Sequence, residues 1–118
     1  MYAGEADSQQ GTYQGQQRYY FVEGGRAEKL VFPVMVPDEK KRWSRKSTEV
    51  LLGLPGVDVK KQRLTMLEKF RGPGDCGIFT TWSLAGQHPI LVECRANLDC
   101  DADPPRLAPD WPRVPLGR

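Results

Sequence analysis

A chain of 118 residues, 39% hydrophobic and 27% charged, has room for one domain. It contains nothing near the roughly 20 consecutive apolar residues that a membrane-spanning helix needs. Its net charge of +2 is unevenly spread: residues 18–72 hold 13 Lys/Arg against 7 Asp/Glu, whereas 1–17 and 73–118 are each net −2. A basic middle between acidic ends suits an anionic partner or the acidic face of another protein.

Residues 1–17 hold five of the seven glutamines, with Tyr2 and Tyr13 as the only large apolar groups. So polar a segment buries too little surface to offset its ordering entropy, and an N-terminal arm is expected there. It lacks the basic and apolar regions of a signal peptide, so the expectation is a soluble protein of intracellular origin, incorporated into a particle.

Arg18–Glu23 is aromatic and β-branched, and Gly24-Gly25 follows as a turn. Lys29–Val36 is a second apolar run, so the two segments read as a hairpin in which Pro33 demotes the second strand to an edge. Ser44–Leu54 reads equally as a short helix or a buried strand. Over 59–71 the spacing of Val59, Leu67 and Phe70, with Leu64 or Met66, predicts a helix. Asp58 stands at its N-cap and Gly72-Pro73 at its end.

Gly77–Leu84 and Ile90–Arg95 predict a second hairpin. Residues 104–115 hold five of the ten prolines, so neither helix nor central strand is expected. That tail reads as an extended arm anchored by Leu107, Trp111, Val114 and Leu116. The expected fold is therefore a small α+β domain rich in antiparallel hairpins. It has one helix near 59–71, a compact body over 18–103, and arms at 1–17 and 104–118.

Three constellations are candidates for function. Cys76, His88, Cys94 and Cys100 are four zinc-type ligands, separated by eleven, five and five residues. Tetrahedral zinc needs four such groups, but its usual sites pair ligands two to four residues apart, which no two of these are. Reduced thiols packed in strands are the default, with zinc or a Cys94–Cys100 bridge as alternatives. A Cys/His dyad oriented by Asp75 is the corresponding catalytic reading.

The second constellation is Lys40, Lys41, Arg42, Trp43, Arg45 and Lys46, five cations around a tryptophan. Cations neutralise phosphates and an exposed ring stacks on a base, which suits nucleic acid. The third is the pair of arms, with Tyr2, Tyr13 and Trp111 as contacts to neighbouring subunits.

The chain has no Gly-x-Ser-x-Gly and no phosphate loop ending in Lys-Ser/Thr, and it has a single histidine. Neither an enzyme nor a small-molecule substrate is therefore expected, and no catalytic residue is assigned. The leading expectation is a non-enzymatic structural or interaction subunit of a larger assembly, a virion or ribonucleoprotein-like particle, touching its neighbours through its arms. A small nucleic-acid-binding module using 40–46 comes next, and a zinc-stabilised interaction domain third.

Overall fold

The computed structural model describes residues 15–70, 76–100 and 107–116, with the backbone alone for 2–7. The described residues form nine strands and one turn of 3-10 helix, so the fold is all-β and not α+β. The expected helix at 59–71 is instead a turn at 59–62 followed by a strand over Arg63–Lys69. Asp58 does bind backbone amides ahead, accepting from Lys61 N–H at 3.1 Å, but it closes a β-turn. The same short carboxylate serves both motifs, so the residue alone does not distinguish them. Val59, placed on the helix's apolar face, is 81% exposed at the turn.

Strand β1 (Tyr2–Asp7) pairs antiparallel with β2 (Gly15–Glu23). The segment expected as an arm therefore adds a strand to the body at 2–7, and Gly15–Gln17 lie within β2. Gly24 and Gly25, at φ +58° and +79°, form the two-residue turn into β3 (Arg26–Lys29). Positive φ at both positions is what a primed hairpin turn requires, and glycine adopts it without strain. The run Lys29–Val36 is then divided. Leu30 N–H still donates to the Tyr19 carbonyl at 2.8 Å, after which the chain leaves the sheet as β4 (Phe32–Pro37). This strand pairs with β5 (Trp43–Thr48) in a separate two-stranded sheet.

Next comes a meander of β6 (Leu51–Asp58), β7 (Arg63–Lys69), β8 (Gly77–Ser83) and β9 (Ile90–Asn97), in which β6–β7, β7–β8 and β8–β9 pair antiparallel. The last two form the hairpin expected from the sequence, with a bulge between Thr81 and Trp82. Leu51–Gly53 of β6 pair with Gly15–Gln17 of β2, which joins the meander to the N-terminal strands. The larger sheet thus runs β1-β2-β6-β7-β8-β9, with β3 also beside β2. Gln17 secures this junction, donating to the Gly53 carbonyl at 2.9 Å and accepting from the Tyr19 hydroxyl at 2.8 Å.

Period-two alternation turns Leu64 and Met66, then Ile78, Thr80 and Trp82, then Cys94 and Ala96 to one face, and the bulge returns Leu91 to it. The β4–β5 hairpin covers that face with Phe32 and Met35. Each fully buried side chain of this size contributes about 1.5–3 kcal/mol. Trp82 ties the two layers together. Its indole N–H donates to the Pro33 carbonyl at 2.7 Å, and its ring meets Phe32 edge-to-face at 5.1 Å.

The C-terminal tail lies along the outer edge of β9. Ala96 N–H donates to the Pro112 carbonyl at 3.0 Å and Val114 N–H to the Cys94 carbonyl at 2.7 Å. Arg95 donates to the Trp111 carbonyl at 3.0 Å, and Glu93 bridges Arg95 at 2.7 Å and Arg113 at 3.3 Å. The hydrogen bond from Arg95 holds the Glu93 carboxyl below its ordinary range, aided by the charges of Arg95, Arg113 and Arg63. Prolines suit such an edge, since they need donate nothing. Trp111 is fully buried in its own chain. Trp111→Ala should therefore cost about 3–5 kcal/mol in chemical denaturation; an unchanged denaturation midpoint would show that the tail is not part of the folded body.

Candidate functional site

The cysteine and histidine window resolves into separate elements. The antiparallel register sets the start of β8 beside the end of β9, Gly77 facing Asn97. Cys76, just before β8, and Cys100, just after β9, are thereby brought to a Cα separation of 5.0 Å and are joined in a disulfide. This corrects both the expectation of reduced thiols and the alternative Cys94–Cys100 bridge. Register across a hairpin, not nearness in sequence, decides which thiols meet. Cys94 is a free thiol on the inward face, opposite Thr80, and burial pushes it up to about 11. A thiol held protonated in this way is a poor nucleophile and a poor metal ligand. His88 is exposed in the loop between β8 and β9.

With Cys76 and Cys100 bonded to each other, the four candidate ligands do not form one site. Among the described residues no three His, Cys, Asp or Glu side chains group to hold a metal ion. Asp75, the proposed orienting group of a dyad, lies outside the described residues, as does Tyr13; of Tyr2 only the backbone in β1 is described.

The basic constellation forms one projecting element. Asp38 Oδ1 accepts from Lys40 N–H at 2.8 Å and Arg42 N–H at 2.9 Å, and Lys41 N–H donates to the Asp38 carbonyl at 3.0 Å. Lys41 completes the turn at φ +62°, a conformation that a side chain adopts only under constraint. Asp38 thus spends its carboxylate shaping the tip on which the cations stand. Lys40, Lys41, Arg42, Arg45 and Lys46 are all exposed. No ion pair engages any of them among the described residues; Arg45 makes one long hydrogen bond, 3.5 Å to the Leu116 carbonyl. Trp43 differs from its neighbours, being half-buried against the core. Lys60, Lys61 and Arg63 belong to the other hairpin tip, at the far end of β7 from Phe70.

Beneath the hairpin lies a cleft of about 380 Å³ that the sequence reading missed. Its walls include Val34, Val36 and Thr48 from the hairpin, and Met66, Glu68 and Phe70 from the β7 end of the larger sheet. Glu68 follows Leu64 and Met66 in the period-two register, so a carboxylate stands where the apolar face emerges from the core. Burial raises its pKa above the ordinary carboxylate value. No hydrogen bond or ion pair reaches that carboxylate among the described residues. The neighbouring strands approach the β7 backbone closely there through glycines: a Cβ on Gly53 would strike the Leu67 carbonyl, and one on Gly77 the Glu68 carbonyl, both at positive φ. Once residues 63–69 are read as a strand, an acidic residue in the apolar phase is the signal that marks this site.

No family model, curated protein or solved structure matches the chain, so the site rests on its own chemistry.

Two outcomes follow from this geometry. Replacing Cys76 and Cys100 by serine removes a cross-link closing about 25 residues and should lower stability by roughly 3–4 kcal/mol, read from denaturant midpoints with and without reductant. Glu68→Gln should raise the melting temperature at neutral pH, because it removes a desolvated charge. The folded-state pKa is raised, so the charged carboxyl disfavours folding as pH rises through the folded value. The gain should vanish below about pH 4.3, where the unfolded carboxyl is protonated too. A gain persisting at pH 3 would show that packing, not charge, is responsible.

Proposed function

We propose that the protein is a non-enzymatic subunit of a macromolecular assembly, a virion or ribonucleoprotein-like particle, and that its β4–β5 hairpin grips single-stranded nucleic acid there. The observation that carries this reading is the exposure of five cations, free of ion pairs among the described residues, on a tip fixed by Asp38. Phosphates reward cations that are pre-positioned and not already neutralised. The hairpin, more than the terminal arms, makes this contact, because Trp111 is spent on its own core.

Contact with neighbouring subunits falls to β1. It ends the larger sheet, and an edge strand presents unpaired backbone groups to which another chain can add. The Cys76–Cys100 bridge suits a particle that passes into oxidising surroundings after assembly. Among the described residues no helix is long and apolar enough to cross a membrane.

If about four of the five cations meet phosphates, the logarithm of affinity should fall with the logarithm of salt at a slope near −3, about a 50-fold loss between 50 and 200 mM salt. Arg45→Glu with Lys46→Glu should lower affinity at every salt concentration and flatten the slope. Fluorescence anisotropy with a labelled single-stranded oligonucleotide reads both. An affinity that ignores salt, or survives the charge reversal, would overturn the proposal.

A further inference from the structure

The cleft beneath the hairpin combines features that the phosphate-binding tip does not use. It is large enough for a small planar group, since ligand pockets begin at about 300 Å³, and it measures about 380 Å³. Among the described residues, its only ionisable wall residue is Glu68. Phe70 lines it as well and is 45% exposed, an aromatic ring on which a base can stack. Val34 and Val36 line it from β4, and Lys46 is the cross-strand partner of Val34. Lys46 is exposed on the same side of β5 as Thr48, which lines the cleft, so a cation stands on the strand that walls a cleft holding a carboxylate.

Cations outside and a carboxylate inside match a nucleotide, whose phosphate is anionic and whose base edge carries N–H donors. The donor pattern narrows the choice of base. A carboxylate has two acceptor oxygens and no donor when ionised. On their Watson–Crick edges adenine and cytosine set an amino donor beside a ring acceptor, and uracil sets one N–H between two carbonyls. Guanine alone presents two adjacent donors, the N1–H and the N2 amino group. We propose that the cleft takes one guanine base of the bound strand, with N1–H and N2–H donating to Glu68 and the ring stacking on Phe70. This inference rests on the nucleic-acid reading of the hairpin and adds base selection to it. The phosphates hold the strand in place, and the cleft distinguishes what it carries.

The test uses the full chain and single-stranded oligonucleotides of uridine with one central position varied: guanosine, inosine, uridine or an abasic site. Inosine keeps N1–H and lacks the N2 amino group. The guanosine strand should bind about tenfold more tightly than the uridine strand, with inosine between them, in the range of a bidentate base contact. Glu68→Gln should abolish the preference for guanosine without weakening binding of the uridine strand. Phe70→Ala, at an exposed rim position, should weaken the guanosine strand about tenfold, and it provides a readout independent of the Glu68 variant. Equal affinities across the four strands, with steep salt dependence retained, would overturn the guanine site and leave the hairpin reading standing. A guanosine preference that persists in Glu68→Gln would also overturn the assignment. Failure of every strand to bind at low salt would overturn both.

Discussion

The hydrogen bond from the Trp82 indole to the Pro33 carbonyl is the constraint on which the arrangement depends. Two antiparallel sheets share one chain but no backbone ladder, since β4 leaves the larger sheet after Leu30. Something other than strand pairing must fix how the hairpin lies over the meander. Trp82, 1% exposed, does this with a polar contact of 2.7 Å inside a largely apolar layer. An indole N–H buried without an acceptor would carry the full desolvation penalty, about 1–3 kcal/mol, so the hairpin is held to one position along the sheet. Phe32 against Trp82, and Tyr19 against Phe32 at 5.7 Å, extend this contact as a chain of edge-to-face rings from β8 to β2.

The cleft follows from this attachment. The hairpin is pinned at Phe32–Pro33, next to Trp82 and its cross-strand neighbour Leu64. Val36 and Pro37 wall the cleft on the hairpin side, and on the other the inward row of β7 passes from Leu64 and Met66 to Glu68, with Phe70 just beyond the strand. At the opposite edge the packing is closed. The tail covers β9, its prolines sit where no donor is needed, and the disulfide fastens the ends of β8 and β9. Stability is thus concentrated on the β8–β9 side, where β4 also packs, while the cleft between the hairpin and β7 carries an apolar wall and a carboxylate without a partner among the described residues. That division is expected where a rigid body supports a binding surface.

Where local chemistry has a single solution, the sequence was readable. Gly24-Gly25 requires a turn, and the β-branched and aromatic runs 77–84 and 90–95 pair as a hairpin. It misled where one signal serves two structures. Asp58 followed by apolar residues at mixed spacing fits a helix cap, yet Leu64, Met66, Glu68 and Phe70 also satisfy period two. Tertiary pairing with β6 and β8 decided between them. The cysteine pairing was illegible for another reason: Cys76 and Cys100 meet only through the register of two strands. The basic cluster was legible as composition, but not Trp43's attachment to the core, which comes from the hairpin's fold over the sheet. Glu68 is not legible in the sequence because its meaning depends on the phase of a strand, and a helical spacing over 59–71 assigns it no face.

The charges of the site act over different ranges, which explains why a carboxylate can belong to a surface built to attract phosphate. Exposed cations on the 38–42 tip and on β5 act through solvent over about 8–10 Å at ordinary salt; they govern approach and overall affinity. Glu68, in an apolar cleft where burial already raises its pKa, is felt mainly by groups that enter. In water such a carboxylate would simply repel an anionic strand. Recessed in an apolar cleft, it adds little to the field outside, while imposing an acceptor-only requirement on whatever fills the cleft. Its desolvation weakens the empty protein and is relieved only by a ligand that brings N–H donors, so selectivity arises from a group that the fold alone would be more stable without.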